Sequence, residues 1–259
     1  MVAWLEAERR PVVSVEEVAA IFPWPRPAIH DVLSRLEQNG WLRRTARGRY
    51  ETVLAETGGY APPNPWAALS TWRQAYYVGF QSAAFEHNLT PDRPAAVQVA
   101  VPVGAKSPKA WSGVPIKTIP LRRFSNEGAD EEQRHGVSIK LASIERVLVD
   151  SSALPGWAGG VIGLARIAIR ARPQADWNRV VELAVHGRSS GLRRLAAVLE
   201  IADEEVPPAL AGAAETAACG ASYLYLGERR LYGAQGRRLP RWAVVDNVGQ
   251  ETIREEISR

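Results

Sequence analysis

The chain has 259 residues, with 32 Lys and Arg against 28 Asp and Glu and a pI near 9.4. That length holds one to three domains with real cores, and the basic balance favours a polyanion partner such as nucleic acid. A single cysteine, Cys219, excludes an intramolecular disulfide and a Cys-built zinc site.

The first ten residues carry Glu6, Glu8, Arg9 and Arg10 and no apolar run of signal-peptide length. Residues 153–169 form the most apolar stretch, but Pro155, four glycines and Arg166 interrupt it, so it is not expected to span a bilayer. A cytoplasmic protein with no membrane partner is expected.

Trp4 and Leu5 open a short helix. Ser14-Val15-Glu16-Glu17 then has the form of a capping box, in which Ser14 caps and Glu17 reaches back. Val15, Val18, Ala19 and Phe22 give the following helix an apolar face, and Pro23 stops it. In the next helix Ile29, Val32, Leu33 and Leu36 fall at i, i+3, i+4 and i+7, one buried stripe. Asn39-Gly40 supplies its left-handed stop. Residues 41–44 and 49–53 read as short strands around an Ala46-Arg47-Gly48 turn.

This helix, helix, turn, helix and basic hairpin order predicts a winged helix-turn-helix over residues 1–54. Gly- and Pro-rich residues 55–65 read as a linker. Residues 66–172 read as an α/β middle domain, and residues 173–259 as a helical and β C-terminal domain. The expected class is therefore α+β, an N-terminal winged helix-turn-helix followed by a mixed α/β region. In the middle domain, residues 66–73 and 76–87 read as helices and 97–101, 116–121 and 137–141 as strands. Residues 126–134 read as a polar loop, and Ser143 opens a helix through Asp150. Further on, 177–185 and 192–202 read as helices and 223–226 and 242–247 as strands.

In such a domain the second helix of the motif enters the major groove. Its exposed face offers Arg26, Ala28, His30, Asp31, Ser34 and Arg35. Arg26 can fork onto guanine, the Ala28 methyl can touch thymine, and His30 can meet base or backbone. Asp31 repels phosphate, so it either reads a cytosine amine or turns back to an arginine. Arg43, Arg44, Arg47 and Arg49 lie within seven residues with no acid among them. A hairpin charged in this way grips phosphates or the minor groove and supplies affinity more than sequence choice. Arg43 and Arg49 also fit a plainer role, as charges that protect a sheet edge.

Catalytic constellations are weak. Gly187-Arg188-Ser189-Ser190-Gly191 matches a nucleophile-elbow string, but no buried strand precedes it and no histidine follows. An inter-helix turn is expected there. Gly156, Gly159, Gly160 and Gly163 lack dinucleotide-fingerprint spacing and fit a turn with close helix packing. His30, His87, His135 and His186 are scattered without metal-ligand spacing. No metal, cofactor or enzymatic activity is expected.

Several segments, taken in order, resemble the AbiEi-type antitoxins and related actinobacterial regulators. They are the Arg47-Gly48-Arg49-Tyr50 wing and the Tyr76-Tyr77-Val78-Gly79-Phe80-Gln81-Ser82-Ala83-Ala84-Phe85-Glu86-His87 segment, where Asn88 replaces the usual glycine. Ser143-Ile144-Glu145-Arg146-Val147-Leu148-Val149-Asp150 follows, with Ile144 and Val147 in place of Pro and Thr. The Leu192-Arg193-Arg194-Leu195 helix and the strand from Arg241-Trp242 to Asn247 complete the set.

The resemblance implies an autorepressor that binds inverted repeats in its own promoter. It also implies a type IV antitoxin that counters a nucleotidyltransferase-like toxin without a stable complex. In the box at 143–150 a structural role is expected, with Ser143 capping, Glu145 facing the helix dipole and Arg146 bracing a neighbour. The competing reading is a standalone regulator with a ligand- or partner-sensing C-terminal domain.

Overall fold

The computed structural model describes residues 1–8, 10–53, 63–106, 114–184 and 189–258. Most of the expected linker therefore lies outside the described residues.

The chain begins with α1 (Val2–Glu8), β1 (Val12–Ser14), α2 (Val15–Ile21) and α3 (Arg26–Gln38). The hairpin of β2 (Leu42–Ala46) and β3 (Arg49–Thr52) follows. The capping box is formed: Ser14 Oγ accepts from the Glu17 amide at 3.1 Å, and Glu17 Oε2 accepts from the Ser14 amide at 2.7 Å. Phe22 ends α2 in an extended conformation (φ −105, ψ 122), as the residue before a proline must. At the far end of α3, Gly40 sits at φ 77 and turns the chain into the hairpin.

The strands form an antiparallel sheet in the order β1-β3-β2. Ile29, Leu33 and Leu36 of α3 pack with Leu5, Val13, Val18, Leu42 and Tyr50 into one apolar cluster. The strand β1 was not expected. Its three residues bury only Val13, too short a segment for alternation to register.

A second, larger cluster runs from Trp66 to Ile253 and continues across residue 172. Its first part comprises α4 (Pro65–Ser70), β4 (Tyr77–Val78), α5 (Phe80–Glu86), β5 (Val97–Pro102) and β6 (Ile116–Leu121). It closes with β7 (Ala129–Arg134), β8 (Val137–Ala142) and α6 (Ile144–Ala153). The five strands pair in the order β6-β5-β4-β8-β7. The sheet is mixed: β5 runs parallel to β6 and β4 to β8, whereas β4 with β5 and β7 with β8 are antiparallel.

Two expectations are corrected here. The helix expected over 76–87 starts only at Phe80, because Tyr77 and Val78 enter the centre of the sheet between β5 and β8. Aromatic and β-branched side chains suit that pleated, buried position. The polar loop expected over 126–134 contains β7, an edge strand of Ala-Asp-Glu-Glu-Gln-Arg. Its backbone pairs with β8, while its charges face water and discourage further pairing. A two-residue turn, His135 (φ 52) and Gly136 (φ 76), joins the strands.

The remainder is mostly helical. A 3-10 turn (Pro155–Ala158) leads into α7 (Gly160–Ala171), α8 (Trp177–Ala184), α9 (Ser189–Ile201) and α10 (Pro208–Ala218). Then come β9 (Leu224–Tyr225), α11 (Arg229–Tyr232), β10 (Arg237–Leu239), β11 (Val244–Asp246) and α12 (Gln250–Ser258). The short strands form a sheet in the order β10-β11-β9. The strand expected from residue 242 starts at Val244, because Pro240–Trp242 forms a 3-10 turn.

The glycines at 156–163 do permit close packing. A Cβ on Gly163 would lie 1.8 Å from the Ala158 carbonyl oxygen. The chain is thus α+β, as its sequence predicts. Among the described residues, no helix is long and apolar enough to cross a membrane.

Candidate nucleic-acid interface

One groove, about 860 Å³ in volume, gathers side chains from α3, the β2–β3 hairpin and the larger unit. Arg26 and His30 stand one helical turn apart on the exposed face of α3. Arg44, Arg47 and Arg49 come from the hairpin, whose tip is set by Gly48 at φ 69. Arg73 and Lys106 complete the lining from the far side. Among the described residues these six fixed positive charges face a single lining carboxylate, Glu16. None of the six has an ion-pair partner among the described residues.

The groove thus unites five of the ten residues read from sequence: Arg26, His30, Arg44, Arg47 and Arg49. Asp31, Ser34 and Arg35 are exposed on α3 but outside the groove lining, and Ala28 is half-buried. Arg43 points elsewhere. Its Nη1 lies 3.3 Å from Glu51 Oε2.

Glu51 is buried, and its other oxygen accepts the Asn64 amide at 3.0 Å. Burial pushes its carboxyl above the usual range, opposed by the Asn64 amide and Arg43. Asn64 in turn caps α4 by accepting from the Trp66 amide at 3.0 Å. Glu51 therefore ties the hairpin to the larger unit. A second contact lies nearby, where Pro11 packs 3.3 Å from the Cβ position of Gly136.

Arg73 and Lys106 have no local sequence signal. They are single basic residues in loops, and only the packing of the two units brings them to α3.

The box at 143–150 is a brace. Ser143 caps α6 by accepting from the Arg146 amide at 3.3 Å, and Glu145 Oε1 accepts from the Asp176 amide at 3.1 Å. Arg146 and Asp150 are buried and lie 3.0 Å apart. The Tyr77 hydroxyl donates to Asp150 at 2.6 Å and accepts from Arg146 Nη2 at 2.7 Å. Arg146 Nη1 also reaches the Glu127 carbonyl at 3.2 Å. Burial pushes the Tyr77 hydroxyl far up, and Asp150 adds to this. The group is enclosed, with Tyr77 and Asp150 at 0 % exposure, and it joins α6 to β4.

In the nucleophile-elbow string, Gly187 and Arg188 lie outside the described residues. Ser189, Ser190 and Gly191 are the first turn of α9, with Gly191 packed against Ser152. They are helical, where an inter-helix turn was expected. Among the described residues no three His, Cys, Asp or Glu side chains gather as a metal site.

No protein-family model matches the sequence, and no curated protein matches it. The fold has a solved counterpart. The crystal structure of the RV2827C protein from Mycobacterium tuberculosis superposes with a TM-score of 0.69, covering 100% of this chain and 93% of that one. The two sequences are 16% identical, so the likeness extends to the fold alone.

Proposed function

We propose that residues 1–54 are a winged helix-turn-helix that binds double-stranded DNA, and that the protein is a cytoplasmic transcriptional autorepressor. One observation carries this reading: α3 and the β2–β3 hairpin converge on a single groove lined by unpaired basic side chains. The charge suits the phosphates of a duplex. Arg26 and His30 are the residues placed to meet base edges, and Arg44, Arg47 and Arg49 the residues placed to meet phosphates. Sequence choice then rests on α3, and affinity on the hairpin.

The antitoxin part of the reading rests on the resemblance to the AbiEi-type family. On that reading the C-terminal unit counters a nucleotidyltransferase-like toxin without a stable complex.

Fluorescence anisotropy on a duplex from the chain's own promoter tests the DNA reading. Affinity should fall steeply with salt, and Arg47→Ala or Arg49→Ala should each lower the log–log slope by about 0.9. Binding that ignores salt, or none to that duplex, would sink it. Growth rescue on co-expression with a toxin from the neighbouring reading frame tests the antitoxin part. No rescue there, or no such reading frame, would leave a standalone regulator.

A further inference from the structure

A second basic surface lies far along the chain, on the small sheet of β9, β10 and β11 and on α11. Arg229, Arg230, Arg237, Arg238 and Arg241 fall within thirteen residues, and all are exposed. Arg241 pairs with a carboxylate, Glu215, at 2.7 Å. Among the described residues the other four have no ion-pair partner.

Three of these guanidinium groups lie on aromatic rings. Arg229 sits 5.3 Å from the Tyr225 centroid, Arg238 5.4 Å from Tyr223, and Arg241 4.3 Å from Trp242. Protection of a sheet edge would need charge on β10 alone. It does not account for arginines on α11, or for guanidinium groups that lie over rings.

The surface opens into a cleft of about 480 Å³ between residues 155–161 and 225–232. Tyr225 belongs to both, lying under Arg229 and lining the cleft. Tyr232 and Val161 give the cleft apolar walls, Arg194 supplies a positive one, and Glu228 places one carboxylate at its lining. Leu231, 74% exposed, stands at the cleft as a large apolar side chain with no internal use. The cleft shares no lining residue with the groove at α3.

We propose that this face binds a single-stranded oligonucleotide, with its phosphates along Arg229, Arg230 and Arg238 and one base turned into the cleft. A guanidinium already held over a tyrosine is placed to meet an unstacked base as well as a phosphate. A duplex keeps its bases stacked inward and cannot turn one into the cleft.

The test uses the full chain carrying Arg47→Ala and Arg49→Ala, which weakens the groove at α3. Labelled single strands of about 12 nucleotides, as RNA and as DNA, are titrated by anisotropy beside a duplex of equal length. Binding to at least one single strand, at least about tenfold tighter than to the duplex, is expected, with a salt slope of about −0.7 per phosphate engaged. Adding Arg229→Glu and Arg230→Glu should abolish that preference.

Leu231→Glu changes only an exposed side chain at the cleft. It should cost about fivefold or more, the loss of one stacked base. A single abasic position in the strand should cost as much as that variant. Preference for RNA or for DNA identifies the source of the strand. Binding to neither, equal binding to the duplex, or indifference to the charge reversals in a variant with an unchanged melting temperature would overturn the proposal.

Discussion

Glu51 and Arg146 are both buried charged residues, and their surroundings give them different consequences. Glu51 is desolvated with modest compensation, so its carboxyl titrates above the ordinary value. A raised folded pKa means that stability is fully present below the unfolded pKa and is lost as pH rises through the folded one. Glu51→Gln removes the charge and keeps one acceptor oxygen, setting an NH2 group where the second oxygen stood. The parent should therefore lose stability relative to this variant as pH rises above the ordinary carboxylate range. Parallel melting curves across that rise would show that Glu51 does not titrate there. Arg146, by contrast, is compensated on several sides by Asp150, Tyr77 and the Glu127 carbonyl. Arg146→Met removes the counter-charge from Asp150 and should cost about 3–5 kcal/mol in urea unfolding. Pairing it with Asp150→Leu should recover much of that loss, because the expensive state is one charge left buried without the other.

At the scale of elements, legibility followed local chemistry. Helices α2, α3 and α6 carry their own caps and stripes, and the structure places them where Ser14, Asn39-Gly40 and Ser143 predict. Strands β4 and β7 escaped because their signals are not local. Tyr77 and Val78 follow on from a helical pattern and become a strand only because β5 and β8 lie on either side. Charged β7 has no apolar alternation at all. Helices α10 and α12 bury too little to show a stripe: Leu210 and Ala214 in the first, and Ile253 in the second. The turn before α7 shows how much one position can specify. Gly163 lies against the Ala158 carbonyl with no room for a methyl group. Gly163→Ala should therefore cost about 1–3 kcal/mol, as overpacking against backbone does, although alanine favours helix elsewhere. A neutral or stabilising effect in thermal unfolding would mean that the 3-10 turn shifts freely.

The whole molecule consists of two apolar clusters joined near Glu51, Asn64 and Pro11, and the candidate groove lies across that join. Half of the groove was readable, because Arg26, His30 and the hairpin arginines are neighbours in sequence and sit on elements with clear signatures. The other half was not, because Arg73 and Lys106 reach the groove only through packing between the units. This division leads to a prediction that a self-contained N-terminal module would not make. If a duplex lies in the groove as built, its phosphates meet Arg73 and Lys106 as well as the hairpin. Arg73→Ala and Lys106→Ala should then each reduce the salt slope of promoter binding by about 0.9, as much as Arg47→Ala does. Both residues are exposed, so stability should not change. Their effect should be uniform across operator variants, since phosphate contacts carry no sequence information. Arg26→Ala should instead narrow the gap between operator and scrambled duplex, by about 1–3 kcal/mol. Unchanged slopes for Arg73→Ala and Lys106→Ala would confine the duplex to residues 1–54 and leave the larger unit's basic edge without a role in DNA binding.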